Sequence, residues 1–453
     1  MAFARNGADA FVEVPKIKNV FLWFFTMIFL LDLIPTIIFR MKLKEKQRFV
    51  NHKLTEERDM AYKLDTEVLY QGTTPQGIIR NPETPAIYPA SAYILDDMED
   101  YVFADKGGRY YYNRSANPNR DELGAAVSFL EKGEKTLICS SGMAAISTVL
   151  LSLLKGGDHV VMSKAIYGET IELAQMILPG FGIEVTFTDF TDPEEVKRAV
   201  RKNTKMFYTE IIANPLTLVT DLEAVTAIAK ENNILTVVDS TFTTPFVYRP
   251  LEHGADLVLH SMTKYFGGHS DLTGGCLTAS AELIDRIYPK YLLLGCCLDP
   301  VSSWMTLRSV KTMSMRVRTQ NQNAILIAKA LSQDPHVKAV YHPSLPEHPN
   351  HELASRMFDT DYGYGAMLSF RLEDDHEKVA RFMKNLKLIC YLGTLGGIRT
   401  TFTHPRTAFV NNFSGEELDR MGLAEGLVRI SVGAEDSCDL IEDLLQALAA
   451  MGD

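Results

Sequence analysis

The 453-residue sequence has no excess of basic side chains, since 57 acidic residues outnumber 46 basic ones and the formal net charge is −11. A nucleic-acid-binding protein is therefore disfavoured, because it needs lysine and arginine to neutralise phosphates. The sequence also lacks internal repeats and low-complexity segments. With 46% hydrophobic and 23% charged residues, it is typical of a globular protein of two or three domains, rather than a disordered or polytopic membrane protein.

Cysteine is scarce as well. The six cysteines, at positions 139, 276, 296, 297, 390 and 438, form no Cys-x-x-Cys pair. A chain of this size does not need disulfides to stabilise its core. The pattern predicts reduced, mostly buried thiols in a cytoplasmic protein, and no motif predicts a metal site.

One long apolar run lies near the N-terminus. Residues 20–39 contain a single charge, Asp32, and are long enough to span a bilayer core of about 30 Å. The denser basic flank lies after the run, which would leave the rest of the chain on the cytoplasmic side. Asp32 and Pro35 argue against a membrane helix, and Met41 opens a polar segment that is a second candidate start. Residues 1–40 are therefore either a membrane anchor or an upstream extension of the reading frame.

From Asp121 onward, short apolar runs rich in Val, Ile and Leu alternate with helix-length segments. The runs are LICSSG, HVVMS, KMFYTEI, ILTVVDST and ADLVLHS. This alternation predicts βαβ units and a mostly parallel sheet, in which ligands bind at the carboxyl ends of the strands. Past about Val301, longer helical segments predict a smaller α/β domain. The predicted divisions are an extension at 1–40, an N-terminal arm at 41–118, a large domain at 119–313 and a small domain at 314–453.

The most informative stretch is ADLVLHSMTKYFGGHSDLTGG, in which Lys264 comes directly after an apolar strand. A lysine at the end of a buried strand loses solvation, which lowers its pKa and provides the neutral amine that imine chemistry requires. Ser261 and Thr263 supply hydroxyls able to bind phosphate. A single lysine in such a place is more often a solvated loop residue, so the assignment depends on the residues at the ends of the other strands.

Three further strands end in residues that complete a set. Asp239 ends ILTVVDST, where a buried carboxylate calls for a cationic partner such as a protonated ring nitrogen. In ICSSGMAAI, the turn ending at Gly142 leads into a helix whose first amides can bind a phosphate. Tyr167, after HVVMS, can stack on an aromatic ring or donate a proton. Together with Lys264, these residues predict a site for pyridoxal 5'-phosphate (PLP).

From about Asp65 to the C-terminus, the sequence resembles the Cys/Met-metabolism family of PLP-dependent enzymes, which includes cystathionine γ-synthase, cystathionine γ-lyase, methionine γ-lyase and O-acylhomoserine sulfhydrylases. The resemblance rests on the ordered motifs YYNRSANP, SSGMAAI, YGET, EIIANP, VVDSTFTTP, HSMTKYFGGHSDLTGG, TLGGIRTTFTHP and LVRISVGAED. It implies a type I aminotransferase-like α/β fold with a mostly parallel seven-stranded sheet and a smaller C-terminal α/β domain. It also implies a homotetramer of tight dimers, in which the N-terminal arm reaches the neighbouring active site.

The same resemblance implies roles for individual residues. Lys264 is expected to bind the cofactor as a Schiff base, Asp239 to bind the pyridine nitrogen, and Tyr167 to stack on the ring and protonate the leaving group. Arg429 would hold the substrate carboxylate with Thr394, where the family usually has serine. The remaining cofactor contacts are expected from Gly142, Met143, Ser261 and Thr263 at the phosphate, Tyr112 and Arg114 of a neighbouring subunit, and Asn214 at the phenolic oxygen.

The segment expected to face the distal end of the substrate departs from the family pattern. Where the family commonly has Tyr-Gly-Gly-Thr-x-Arg, this sequence has YGETIE, so that Glu169 and Glu172 replace a glycine and an arginine. Loss of that arginine disfavours O-succinylhomoserine, whose distal carboxylate needs a cation. We expect Glu169 or Glu172 to contact a neutral or cationic γ-substituent, as in O-acetylhomoserine, methionine or canavanine. The alternative is an ion pair of one glutamate with Arg399, which stands where many members have glutamate.

These features predict a PLP-dependent enzyme that acts at the γ-carbon of an amino acid of sulfur amino-acid metabolism. Loss of the γ-substituent and release of an α-keto acid and ammonia would make it a lyase, which we favour. Capture of a thiol would make it a γ-replacement transferase, and all of these motifs are common to both. A membrane-tethered scaffold without catalysis is disfavoured, because Lys264, Asp239, Tyr167 and Arg429 are all present.

Overall fold

The computed structural model describes residues 84–409, 414–420 and 422–452. The extension at 1–40, with its apolar run at 20–39, and the first part of the predicted arm lie outside the described residues. Among the helices that are described, none is long and apolar enough to cross a bilayer. The described strands and helices all belong to one compact unit, Pro82–Asp453.

Seven strands between residues 135 and 279 form one sheet. They are β1 (Lys135–Cys139), β2 (His159–Ser163), β3 (Glu184–Thr188), β4 (Thr204–Glu210), β5 (Leu235–Asp239), β6 (Leu257–Ser261) and β7 (Gly275–Ala279). Their spatial order is β1-β7-β6-β5-β4-β2-β3. The predicted mostly parallel sheet is confirmed, since β6, β5, β4, β2 and β3 pair in parallel and β7 is antiparallel to both of its neighbours.

Two strands of this sheet are absent from the sequence-based prediction. β3 lies at the edge, where its residues are exposed or only half-buried, so the segment contains no continuous apolar run. β7 is fully buried, but it begins at Gly275, directly after what the sequence presents as a glycine-rich loop. In both strands, pairing with neighbours outweighs the local sequence signal.

A second, smaller sheet lies in the C-terminal part of the unit. Its strands are β8 (Ala339–Tyr341), β9 (Met367–Arg371), β10 (Cys390–Tyr391), β11 (Thr401–Thr403) and β12 (Leu427–Ser431). The order is β10-β11-β12-β9-β8, and only the β10–β11 pair within it is parallel. The apolar runs GAMLSFRL and LVRISVG, which the sequence pattern also predicts as strands past Val301, correspond to β9 and β12.

Helices connect and cover the strands, and side-chain caps mark where many of them begin. At Ser141, for example, Oγ accepts the Ala144 amide at 3.0 Å and fixes the start of the helix after β1. The described helices are α1 (Met98–Asp105), α2 (Pro118–Glu131), α3 (Gly142–Leu153), α4 (Gly168–Met176), α5 (Pro193–Arg198), α6 (Leu222–Glu231), α7 (Thr244–Val247), α8 (Ala281–Leu294), α9 (Pro300–Val310), α10 (Met313–Leu331), α11 (His351–Met357), α12 (His376–Asn385), α13 (Pro405–Phe409), α14 (Gly415–Arg420) and α15 (Ser437–Ala449). The predicted border at residue 313 falls at the first residue of α10, and the division into two domains stays a prediction.

Apolar side chains cover both faces of the large sheet. α3 and α8 bury Leu150 and Ile287 against one face, while Leu123 of α2 and Val225 of α6 are buried against the other. Burying each such side chain contributes roughly 1.5–3 kcal/mol. Because parallel strands end at a common edge, the sheet brings four polar strand ends to one place: Ser163, Glu210, Asp239 and Ser261.

All six cysteines are described, and none forms a disulfide. Free thiols are what the sequence predicts. Two of them, Cys139 and Cys276, are buried, two are half-buried and two are exposed, so the prediction of mostly buried thiols is wrong.

Candidate active site

A cavity of about 370 Å³ opens at the edge where the strands of the large sheet end. It brings together eleven of the fifteen residues that the sequence singles out. These are Gly142, Met143, Tyr167, Glu169, Glu172, Asn214, Asp239, Ser261, Thr263, Lys264 and Arg429. The lining also contains Ser141, Glu210 and Thr241, to which the sequence-based prediction assigned no individual role.

Lys264 lies three residues beyond β6 and is half-buried. Its Nζ donates a hydrogen bond to Thr394 Oγ1 at 3.1 Å. Burial lowers the pKa of the Lys264 ammonium, and the Arg429 guanidinium lowers it further, while Glu169 opposes the shift. The environment therefore shifts the equilibrium of Lys264 towards the neutral amine, which is the direction that the sequence predicts.

The backbone around Lys264 is held from two sides. Gly396 adopts φ +76°, and a Cβ there would lie 2.8 Å from the Tyr265 amide nitrogen, so only glycine allows the loop to approach. The Gly396 amide donates to Ser431 Oγ at 2.9 Å, which ties this loop to β12. On the other side, buried Arg316 donates to the Tyr265 carbonyl at 2.9 Å. The sequence gives no sign of Arg316, because its role depends on packing between distant segments.

Asp239 ends β5 and is 8% exposed. Its Oδ1 accepts both the amide and the hydroxyl of Thr241, at 3.0 and 2.6 Å. Burial raises the pKa of Asp239 above its usual range. No lysine or arginine of the described residues forms an ion pair with it, so the carboxylate fits a cationic ring nitrogen in the cavity.

A turn able to hold a phosphate joins β1 to α3. The first amides of α3, at Gly142 and Met143, lie at a helix N-terminus that lines the cavity. A Cβ at Gly142 would lie 2.8 Å from Ser261 Cβ, so glycine lets the turn approach the end of β6. Ser261 and Thr263 line the same cavity, and Thr263 Oγ1 donates to the Gly274 carbonyl at 3.3 Å. This donor set suits a phosphate dianion.

Tyr167 immediately precedes α4, and its amide donates to Glu210 Oε1 at 2.7 Å. Burial raises the pKa of the Tyr167 phenol, and Glu169 raises it further. Glu210 ends β4 beside Asp239 but has no role in the sequence-based prediction. The sequence contains a signal that could have identified Glu210 as a site residue, because it is a carboxylate at the end of a buried apolar run, as Asp239 is.

Arg429 lies in β12 and faces the cavity. It donates from Nη1 to Asn214 Oδ1 at 3.0 Å, while its Nε is buried without a hydrogen-bond partner among the described residues. Burial lowers the pKa of Arg429 to about 10. A substrate carboxylate would satisfy this guanidinium. Asn214 contacts Arg429, and its predicted bond to the cofactor stays a prediction.

Four of the predicted residues do not line the cavity. Thr394 nonetheless contacts Lys264. Arg114 donates to the Leu292 carbonyl at 3.0 Å and lies over the ring of exposed Tyr112, with 5.4 Å from Cζ to the ring centroid. Neither residue lines this chain's cavity, and their predicted role in a neighbouring subunit stays a prediction.

Arg399 is exposed, and its Nη2 donates to Cys390 Sγ at 3.5 Å. Among the described residues, Arg399 and Glu169 form no ion pair, and the predicted alternative of a Glu–Arg399 pair stays a prediction. Glu169 is exposed in the first turn of α4 beside Tyr167, and both glutamates line the cavity. The distal end of the cavity is therefore acidic.

Comparisons with known proteins identify the family of this chain. Residues 65–449 match the family model described as Cys/Met metabolism PLP-dependent enzyme. The chain is 43% identical over 340 residues to a cystathionine gamma-lyase of Bacillus subtilis (strain 168), covering 75% of this chain and 88% of that protein. It is 39% identical over 394 residues to an L-methionine gamma-lyase of Fusobacterium nucleatum subsp. polymorphum, covering 85% and 98%.

Solved structures show the same similarity. A cystathionine gamma synthase from Xanthomonas oryzae pv. oryzae superposes with a TM-score of 0.76 at 36% identity, covering 81% of this chain and 93% of that chain. The α/β architecture with its mixed sheet is therefore common to both molecules.

Proposed function

The chain belongs to the Cys/Met-metabolism family of PLP-dependent enzymes, and from this we propose that it catalyses γ-elimination on a γ-substituted L-amino acid of sulfur amino-acid metabolism. The substrate and one water give an α-keto acid, ammonia and the protonated γ-substituent. The observation that carries the proposal is that one cavity contains Lys264, Asp239, Tyr167 and Arg429. When bound there, PLP supplies an electron sink beside the substrate Cα.

The cofactor is held by residues from several strand ends. Lys264 would bind it covalently, and Asp239 would pair with the ring nitrogen. The first amides of α3, at Gly142 and Met143, and the hydroxyls of Ser261 and Thr263 would hold the phosphate, and Asn214 would bind the phenolic oxygen. Tyr112 and Arg114 complete the phosphate site of a neighbouring subunit, so the active enzyme is at least a dimer, and we propose a homotetramer of two such dimers.

The chemistry requires that protons move at fixed positions. Arg429 holds the substrate carboxylate with its fork, next to Thr394. The neutral Lys264 amine, favoured by its lowered pKa, carries protons at Cα and Cβ. The Tyr167 phenol gives its proton to the leaving γ-substituent. The bond between Cγ and that substituent breaks, and its electron pair stays with the substituent. Its raised pKa keeps Tyr167 protonated near neutral pH, which suits an acid.

The same residues support a second candidate function, γ-replacement. Similarity to a cystathionine gamma synthase favours it. In that reaction a thiol replaces the γ-substituent of an O-acetylhomoserine-type substrate, and no keto acid is released. We keep elimination as the main proposal, because the two relatives from Bacillus and Fusobacterium are lyases.

Product analysis separates these functions. The PLP-loaded protein is incubated with L-methionine, L-cystathionine and O-acetyl-L-homoserine, each with and without a thiol. Elimination predicts 2-oxobutanoate and ammonia without the thiol, whereas a thioether formed only with the thiol would replace the proposal by transferase activity. From cystathionine, γ-cleavage predicts 2-oxobutanoate and cysteine. Pyruvate and homocysteine would instead show cleavage at Cβ and contradict the proposal.

The acidic distal end suggests a substrate class. Glu169 lines the cavity, and Arg399 is directed to Cys390 instead of neutralising it. We propose that Glu169, with Glu172, favours a neutral or cationic γ-substituent over an anionic one. Glu169→Gly should therefore lower the preference for cationic over O-succinyl substrates. Glu194→Gly, which removes a first-turn glutamate outside the cavity, should leave the substrate ranking unchanged. An unchanged ranking in Glu169→Gly would contradict this assignment.

The enzyme body is proposed to be cytoplasmic. Whether residues 20–39 tether it to a membrane depends on the true start of translation. Mass spectrometry of the N-terminus of the natural protein distinguishes the two interpretations: a chain beginning at Met41 contradicts the anchor, whereas an intact N-terminus in the membrane fraction supports it.

A further inference from the structure

Two buried carboxyl groups end neighbouring strands of the large sheet. Glu210 of β4 and Asp239 of β5 are paired in register, and each is 8% exposed. Both line the cavity. Asp239 has a role in the proposed chemistry, whereas Glu210 has none.

The Glu210 side chain makes one hydrogen bond among the described residues. Its Oε1 accepts the Tyr167 amide at 2.7 Å. Tyr167 precedes α4, which has no side-chain cap, and the Tyr167 side chain is 40% exposed. The Tyr167 amide is thus tied to the end of β4 through Glu210, and the start of α4 is fixed to the sheet by this contact.

A carboxylate at this position is costly to keep. Burial and the neighbouring Asp239 raise the pKa of Glu210 well above its usual range, while the Tyr167 amide opposes the shift. An apolar side chain would avoid the cost of a second buried acid beside Asp239. The hydrogen bond from the Tyr167 amide offsets part of this cost, and it also holds a residue with a role in the proposed chemistry.

We propose that Glu210 is a positioning residue, which fixes the Tyr167 backbone and so holds the phenol where the γ-substituent leaves. The inference rests on the proposed function, in which Tyr167 protonates that group. It concerns only the acceptor oxygen that Glu210 offers to the Tyr167 amide. A glutamine can offer the same oxygen, whereas an alanine cannot.

Amide hydrogen exchange tests the contact without turnover. In the full-length protein, Glu210→Ala should speed exchange at the Tyr167 amide by about 10- to 100-fold. Glu210→Gln should restore most of the protection. Asp256→Ala is the matched control, because Asp256 accepts the Thr236 amide, also at 2.7 Å, at the other end of β5. The control should leave Tyr167 exchange unchanged, and equal protection in wild type and Glu210→Ala would overturn the proposal.

Kinetics test the consequence. Glu210→Ala should lower kcat by about 10- to 100-fold, because a small misplacement of a reacting group has an effect of this size. KM should stay within about threefold, and Glu210→Gln should recover most of the lost kcat. If Glu210 acts through Tyr167, adding Tyr167→Phe to Glu210→Ala should cost less than about threefold further. The proposal would be overturned if the losses in kcat of the two single variants multiplied in the double variant. It would also be overturned if Glu210→Gln lowered kcat as much as Glu210→Ala.

The two measurements separate this inference from the proposed function. Lost amide protection with unchanged kcat would contradict the positioning role alone. A PLP-loaded wild type that releases no γ-substituent from any substrate would contradict the proposed function, and the role of Glu210 with it.

Discussion

The two ends of the cavity are built in different ways. At the cofactor end, Asp239 and Ser261 end strands of one sheet, and Lys264 comes directly after such a strand. At the distal end, Glu169 lies in the first turn of α4, whereas Arg399 does not line the cavity and contacts Cys390 from a loop. The sheet fixes the first set through its backbone register. The second set depends on side-chain conformation at an exposed rim, so a residue's place in the sequence says less about what it contacts.

The cofactor end also contains charges that lack partners of opposite sign. Asp239 has no lysine or arginine partner, and Arg429 has no carboxylate partner, among the described residues. Buried charges are costly unless they are paired. Each therefore indicates a ligand group of opposite charge, a cationic ring nitrogen for Asp239 and a carboxylate for Arg429. The distal end contains acidic groups instead. These groups disfavour an anionic γ-substituent, but they do not indicate one particular substituent that binds there.

The largest effect is expected at the residue on which the cofactor end depends. Lys264→Ala should lower kcat by at least about 10³-fold, because the amine that moves protons is lost. The variant should also lose the covalent link to PLP, seen as loss of visible absorbance after dialysis. Lys290→Ala, which removes a surface lysine bonded to the end of α3, is the control. Retained turnover in Lys264→Ala would break the assignment.

The next effect is expected at Asp239. Asp239→Asn keeps the shape but removes the charge that pairs with the ring nitrogen, and it should raise the Kd of PLP by about 10²-fold. Fluorescence titration of the apo-protein measures this. Asp256→Asn, beside the same strand but at its other end, should leave the Kd unchanged. Equal affinity in wild type and Asp239→Asn would show that the buried acid serves the fold and not the cofactor.

Arg429→Lys should have a smaller effect, and mainly on KM. Lysine keeps the charge but lacks the planar fork, so KM for the amino acid should rise by about 10- to 100-fold with a smaller change in kcat. Steady-state kinetics with one substrate over a range of concentrations measures it. A change confined to kcat would place Arg429 away from the substrate carboxylate.

The smallest effect at neutral pH concerns two histidines of the segment between β8 and α11. Burial lowers the pKa of His342 and His348 to about 4, whereas an unfolded histidine titrates near pH 6.5. Between about pH 6.5 and pH 4 the unfolded chain binds more protons than the folded protein. The free energy of unfolding should therefore keep its full value above about pH 6.5 and fall as the pH drops towards 4. Urea titrations should show a shallower fall when both residues are changed to glutamine, and an unchanged slope would contradict this.

Much of the cofactor end is predictable from sequence because strand ends carry it. The family and the cofactor, predicted from motifs around Lys264 and Asp239, are confirmed by the family match. Glu210 obeys the same rule and could have been identified. Arg316 could not, because its contact with the Tyr265 carbonyl joins residues 51 positions apart. The direction of Arg399 depends on a rotamer at an exposed loop, which no local pattern determines.

The most direct test of the proposed site is to locate the cofactor on the chain. The PLP-loaded protein is reduced with borohydride, digested and analysed by mass spectrometry. We predict a pyridoxyl group on the peptide that contains Lys264 and on no other lysine. A pyridoxyl group on a different lysine, or a Lys264 peptide that stays unmodified in a turning-over enzyme, would contradict this assignment.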